Sequence, residues 1–122
     1  MDMKKEMLLR TKRFAVDIIK YTENLPKTLT GREIGRQLFR SGTSVFSNYR
    51  SACKAKTRPD FINKICIVEE EADESAGWIE LLMESGTCAD ELSKRIQDEA
   101  NQLTAIMVAT LKTARKNLKE GK

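Results

Sequence analysis

Glu70 and Glu74 stand four residues apart, and Glu69 and Asp73 repeat that spacing one position earlier. On a helix each pair shares a face one turn apart, where two carboxylates can divide acid and base roles or hold a divalent cation. The chain has no histidine. That excludes Ser-His and Cys-His nucleophile pairs, the Glu-x-x-His di-iron set, zinc-protease helices and haem ligation through histidine. A carboxylate-only magnesium site for phosphodiester cleavage is the chemistry that survives. Ion pairing of these carboxylates with Arg36 or Arg40, inside one subunit or across a subunit contact, accounts for them more simply. The expectation is a non-enzymatic protein with no catalytic residue, metal or cofactor.

The three cysteines, Cys53, Cys66 and Cys88, form no C-x-x-C pair and fall in or beside helical patterns. Reduced packing thiols in the cytoplasm follow. The start, Met1-Asp2-Met3-Lys4-Lys5-Glu6, lacks the apolar core of a signal peptide, and no apolar run of about 18 residues occurs. Neither export nor membrane insertion is expected.

The elements that must position these groups are helices. Pro26 and Pro59 are the only prolines, and glycines gather at Gly31/Gly35/Gly42, Gly77/Gly86 and Gly121, breaking the chain into four long periodic segments. The first helix spans about 3–24, with Met7, Leu8, Thr11, Phe14, Ala15, Ile18, Ile19 and Thr22 at 3–4 spacing. The second spans about 30–56 and opens on a capping box at Thr30-Gly-Arg-Glu33. The third spans about 59–85, started by Thr57-Arg58-Pro59-Asp60 and closed by Gly86. The fourth spans about 88–117, with Leu92, Ile96, Leu103, Ile106, Met107, Thr110 and Ala114 inward and Lys112, Arg115, Lys116 and Lys119 suiting the negative end of its dipole. No segment alternates with period two, and the connections are short. Residues 1–122 therefore predict one all-α domain, an up-down-up-down antiparallel four-helix bundle.

Charge divides unevenly. Residues 1–57 hold 13 basic and 5 acidic groups, residues 58–87 hold 2 and 8, and residues 88–122 hold 7 and 5, against a net +4 overall. On the second helix Ile34, Leu38, Ser41, Val45, Asn48 and Ala52 share one stripe, while Arg32, Arg36, Arg50 and Lys54 lie nearly opposite. From Arg32 to Lys54 this basic stripe is roughly 33 Å long, the scale of about ten base pairs.

Beside it runs a second apolar strip, Phe39 and Phe46 with Gly35, Gly42 and Cys53. The third helix carries a counterpart: Phe61, Ile65, Val68, Ala72, Ala76, Ile79 and Met83 form its core stripe, leaving Ile67, Trp78 and Leu81 among Glu70, Glu71 and Glu74. Two different, electrically complementary strips on one subunit describe a head-to-tail contact that closes into a ring. Asn48, Ser41 and Glu99 interrupt core stripes, and an internal network of Arg40, Gln37 and Glu99 is the expected use of such polar groups. Tyr49 and Trp78 could stack on bases; Trp78 sits among acids and is assigned to the subunit interface.

The run Gln37-Leu-Phe-Arg40-Ser-Gly-Thr-Ser44-Val-Phe-Ser-Asn48-Tyr49-Arg50, followed by Arg58-Pro-Asp60-Phe61-Ile62 and Glu70-Glu71-Ala72-Asp73-Glu74, resembles the four-helix proteins of the 23S ribosomal RNA intervening-sequence family. Trp78-Ile79-Glu80-Leu81-Leu82 and Glu99-Ala100-Asn101-Gln102-Leu103 extend the resemblance from Phe14 to Arg115. It implies a small bundle assembling as a homopentamer, with no established catalytic activity. The chain is also similar in form to retroelement accessory bundle proteins, which bind nucleic acid through basic surfaces. Ser51 stands where the family usually has an acid, and Gly77 where an aromatic commonly precedes the tryptophan.

The expected function is a homo-oligomeric bundle that binds RNA or DNA without sequence preference. Its candidate cations are Arg32, Arg36, Arg50, Lys54, Lys56 and Arg58, with Arg10, Lys12 and Arg13 adding to the field. Phe39, Phe46, Ile67, Glu70, Glu71, Glu74, Trp78 and Leu81 are the candidate oligomer interface. The alternative is a scaffold whose ring engages a partner protein and no nucleic acid.

Overall fold

The computed structural model describes residues 2–121 as four helices with no strand among them: α1 Met3–Glu23, α2 Leu29–Cys53, α3 Arg58–Glu84 and α4 Glu91–Lys119. Each begins on a side chain that accepts one of the helix's orphan amides. Asp2 accepts from Lys5 N at 2.9 Å, Thr28 from Gly31 N at 3.1 Å, Thr57 from Asp60 N at 3.2 Å and Asp90 from Ser93 N at 2.8 Å. The cap of α2 is thus Thr28 and not Thr30, which lies inside the first turn. Gly31 follows at the third helical position, where a Cβ would strike the Pro26 carbonyl oxygen.

The end of α3 explains why α4 starts later than its periodicity suggests. Gly86 takes a positive φ of 76° while its amide bonds Met83 O at 3.1 Å and the Thr87 amide bonds Leu82 O at 3.0 Å. This closure also draws the Cys88 amide onto Leu82 O, so Thr87 and Cys88 belong to the end of α3 and Asp90 is free to cap α4. Similarly, α2 stops at Cys53, short of Lys56, because Lys54 and Ala55 fold back onto Ser51 and Ala52 carbonyls before Thr57 extends to cap α3.

Successive helices pack on one another and α4 returns to α1, the α1–α4 seam being the least extensive. The diagonal pairs α1–α3 and α2–α4 make no close backbone approach among the described residues. Cross-contacts run in opposite directions along neighbours: Lys4 reaches Cys53 while Ile18 meets Gly42, and Arg10 reaches Glu99 while Tyr21 meets Ser93. The helices are therefore antiparallel. Phe14, Ile18, Leu38, Val45, Ile65, Val68, Ile79, Leu82, Ile96, Leu103 and Met107 are fully enclosed between them.

The wheel positions shift by about one residue in places. Tyr21, Leu25, Ile62, Leu82 and Leu111 are buried, whereas Phe61, Met83, Leu92 and Ile106 are only half-buried against the core. Two buried hydroxyl pairs fill polar core positions: Ser41 with Ser75 at 2.8 Å between α2 and α3, and Tyr21 with Ser93 at 2.6 Å between α1 and α4. No buried side-chain nitrogen or oxygen among the described residues lacks a partner, consistent with one unique packing.

Gly42 and Gly77 have opposite reasons for being glycine. A Cβ at Gly42 would sit 2.7 Å from both Ile18 Cγ1 and Cγ2, whereas one at Gly77 would meet nothing within 4 Å. Gly42→Ala is expected to cost about 1–3 kcal/mol through forced separation of α1 from α2. Gly77→Ala is expected to stabilise the protomer by about 0.5–1 kcal/mol. Urea unfolding of the two variants followed by circular dichroism checks both, and equal midpoints would contradict the packing.

Candidate nucleic-acid interface and assembly faces

The nine candidate cations do not form one surface. Arg10 is engaged across the α1–α4 seam: its Nε and Nη2 donate to the two Glu99 carboxylate oxygens, both at 2.7 Å, and Nη2 also reaches Gln102 Oε1 at 2.8 Å. Lys12 and Arg13 are exposed on α1. The α2 stripe is split, because exposed Phe39 and Ser47 and the half-buried Thr43 occupy its middle. Arg32 and Arg36 lie at the α1–α2 turn, where Arg32 Nη1 donates to Lys27 O at 2.8 Å and Arg36 sits 3.7 Å from Glu33. They border an open concavity of about 450 Å³ over Gly31 and Gly35, with Pro26 and Phe39 on its walls. Arg50 lies roughly 21 Å away by helix rise, in an α1–α2 groove with Lys5, Leu8, Leu9, Lys12 and Phe46. Lys54 and Lys56 continue into the α2–α3 connection, and Arg58 opens α3 with its Nη1 on Asn117 O at 3.0 Å.

On the acidic side the structure removes several residues from the expected outer strip. Arg40 Nη1 donates to Glu71 Oε2 at 2.8 Å and Nη2 to Glu74 Oε2 at 2.7 Å, clamping α2 to α3. Trp78 is half-buried against the core, and its indole N–H donates to Glu74 Oε1 at 3.2 Å. Glu71, Glu74 and Trp78 are consumed within the protomer, so Glu74 is not free to pair with Glu70 around a cation. No cluster of three or more metal-ligating side chains occurs among the described residues. Burial pushes the Glu74 carboxyl up, but its hydrogen bonds with Arg40, Glu71 and Trp78 outweigh this and hold it below the ordinary value.

The expected Arg40–Gln37–Glu99 network does not form. The helices α2 and α4 are diagonal across the bundle, and each charge turns to its adjacent helix: Arg40 to α3, Glu99 to α1. Asn48 instead donates to Ser44 O at 3.0 Å on its own helix. Tyr49 is buried, its phenol pushed up to about 12 by desolvation, and cannot stack on bases. Gly35 and Gly42 face Leu25 and Ile18, not the outer strip with Phe39. The groups that stay open are Phe39 at 45% exposure on α2, Ile67 at 37% and Leu81 at 48% on α3, and exposed Glu70. Phe46 is half-buried in the α1–α2 groove.

The α1–α4 seam was missed by pattern alone. Arg10–Glu99, Arg95–Asp17 at 3.2 Å and Tyr21–Ser93 cross-link it along its length. The signal in the sequence was a polar residue at a core-facing position of both helices, but nothing local tells which helix answers it. The three cysteines are unpaired and half-buried, with Arg115 Nη2 3.3 Å from Cys66 Sγ.

Residues 3–109 match the model of the 23S rRNA-intervening sequence protein family. The chain is also similar to a protein of unknown function from the S23 ribosomal protein family of Bacteroides thetaiotaomicron VPI-5482. The two share 30% identity over 87% of this chain and 98% of that one, with a TM-score of 0.79. No curated protein matches the chain. No helix among the described residues is long and apolar enough to cross a membrane.

The Arg40 clamp has a pH signature. A carboxyl held below its ordinary value contributes stability that is complete above 4.5, the unperturbed glutamate value, and is lost as the pH falls through the folded value. Arg40→Met is expected to cost up to about 1 kcal/mol at neutral pH, the pair being partly exposed. The difference from the parent protein should vanish in acid. Urea midpoints read by Trp78 fluorescence, the chain having one tryptophan, check this; an equal loss at both pH values would show that Arg40 contributes packing only.

Proposed function

The chain belongs to the 23S rRNA-intervening sequence protein family, and from that footing we propose that it is a non-enzymatic cytoplasmic bundle assembling as a cyclic homo-oligomer that binds RNA or DNA without sequence preference. The observation that carries the assembly is the pair of unmatched outer strips. Phe39 on α2 lies beside Arg36, and Ile67 and Leu81 on α3 lie among Glu70, Glu80 and Asp73. Each strip exposes apolar side chains that the protomer's own core does not cover, and their charges are opposite, so strip meets strip head to tail and the contact is closed by rotation. Gly77, exposed and with open space around it, lets a neighbouring side chain approach the α3 backbone closely. The family resemblance points to five protomers.

Nucleic-acid binding is supported by cations that have no ion pair among the described residues: Lys12, Arg13, Arg50, Lys54 and Lys56. Such groups add self-repulsion that no paired acid offsets. A phosphate backbone neutralises them with release of counterions, and a ring multiplies each weak contact. The half-buried, unpaired cysteines suit a reducing compartment.

Light scattering after size exclusion tests both parts. The parent protein is expected at about five protomers, and Phe39→Asp, which places an acid opposite acids, is expected to lower the mass towards that of one protomer. A short mixed-sequence RNA should shift the mass at low salt and release it at moderate salt. A ring indifferent to RNA would make the protein a scaffold for a partner protein, and a monomer would overturn the assembly.

A further inference from the structure

The antiparallel bundle brings the start of α1 and α3 and the end of α2 and α4 to one end of the molecule. Three contacts establish the adjacency: Lys4 Nζ to Cys53 O at 3.4 Å, Arg58 Nη1 to Asn117 O at 3.0 Å, and Arg115 Nη2 to Cys66 Sγ at 3.3 Å. Two basic groups far apart in sequence thereby come to the same end of the bundle, on helices that are diagonal across it. The end of α2 and its connection supply Arg50, Lys54 and Lys56, and the last turns of α4 supply Lys112, Lys116 and Lys119. Elsewhere five cations are matched, Arg10 by Glu99, Arg40 by Glu71 and Glu74, Arg95 by Asp17, Lys94 by Glu91 and Arg36 loosely by Glu33, while Lys12, Arg13, Lys20, Lys27 and Arg32 are left without an ion pair among the described residues. None of the six has an ion pair among the described residues, although Asp2, Glu6 and Asp60 belong to the same end.

The dipole of α4 does not account for its share. Dipole compensation acts within the last turn, whereas Lys112 lies two turns before the helix end. The two C-terminal helix ends are also offset by the two N-terminal ones beside them. What is left is a concentration of side-chain cations on an end roughly 10 Å deep along α4 and about 20 Å across the bundle. A duplex carries about one phosphate per 1.7 Å of axis, so such a patch faces several at once.

We propose that this end of the bundle, and not the long face of α2, is the surface that takes the nucleic-acid backbone, with Lys112, Lys116 and Lys119 of α4 as phosphate contacts. The inference rests on the nucleic-acid reading above and adds its place and a set of residues. Arg32 and Arg36, at the opposite end of α2, stand outside the site. In a ring whose axis runs along the bundles, every protomer presents this end on the same side, and the field adds.

Fluorescence anisotropy with a labelled, short mixed-sequence single-stranded RNA, titrated over a series of salt concentrations, tests the placement. K112Q/K116Q/K119Q is expected to weaken binding at least about tenfold at low salt and to flatten the slope of log affinity against log salt by about 2. K112R/K116R/K119R should restore both, and R32Q/R36Q should change affinity by less than about threefold. These side chains are exposed and outside the core, so helix content and light-scattering mass should not change. If the parent protein binds and the glutamine variant binds equally well, or if R32Q/R36Q loses more, the placement is wrong and the nucleic-acid reading stands. If the parent protein does not bind RNA at low salt but binds phosphatidylserine vesicles, or binds neither, both fail together.

Discussion

Ile18 resting on the bare backbone of Gly42 is the contact on which the rest of the molecule depends. The seam of α1 with α4 is the thinnest in the bundle, so α1 owes its position mainly to α2. That approach is possible because Gly31 lies under the Pro26 carbonyl, Gly35 faces Leu25 and Gly42 faces Ile18. Three side chains are given up along one face of a 25-residue helix, at a cost in helix propensity of about 1 kcal/mol each. In return Phe14 and Ile18 are enclosed and Tyr21 is carried to Ser93. Close packing at this density transmits small displacements. A wider α1–α2 spacing would therefore loosen the groove that holds Phe46 and Arg50 as well as the core.

The polar contacts then decide what each helix may pair with. Arg40 ties α2 to α3 through two carboxylates and, through Glu74, fixes the Trp78 indole. Arg10 and Arg95 reach in opposite senses across α1–α4, cation to acid and acid to cation, so only one antiparallel register satisfies both. Partly exposed ion pairs of this kind contribute modestly to stability and more to specificity of arrangement. They also sort the charged residues into those used by the fold and those left over. The leftovers are not random: an acidic α3 face with Ile67 and Leu81, an α2 face with Phe39, and a basic end built from α2 and α4.

Much of the architecture was legible along the chain. The four helices, the Thr57-Arg58-Pro59-Asp60 start of α3, the Gly86 stop and most of the Ile, Leu and Val core follow from local chemistry: caps within three residues, a positive-φ glycine and a 3.6-residue period. The Thr28 cap was less legible, since Thr30 offers the same hydroxyl and only the Pro26 carbonyl over Gly31 distinguishes them.

Partner choice was decided by tertiary structure alone. A helical wheel gives the direction of Arg40, Glu99 or Gly42 about its own axis, but not which neighbour lies in that direction. Glu99 therefore went to Arg10, Gly42 to Ile18 instead of the outer strip, and Arg40 to Glu71 and Glu74. The basic end has the same origin. Its two halves are more than fifty residues apart, and they reach the same end because short connections force alternate helices to reverse, which no local spacing encodes. Periodicity and capping determined what each segment is; the order of helices around the core determined which charges are cancelled and which still face outward.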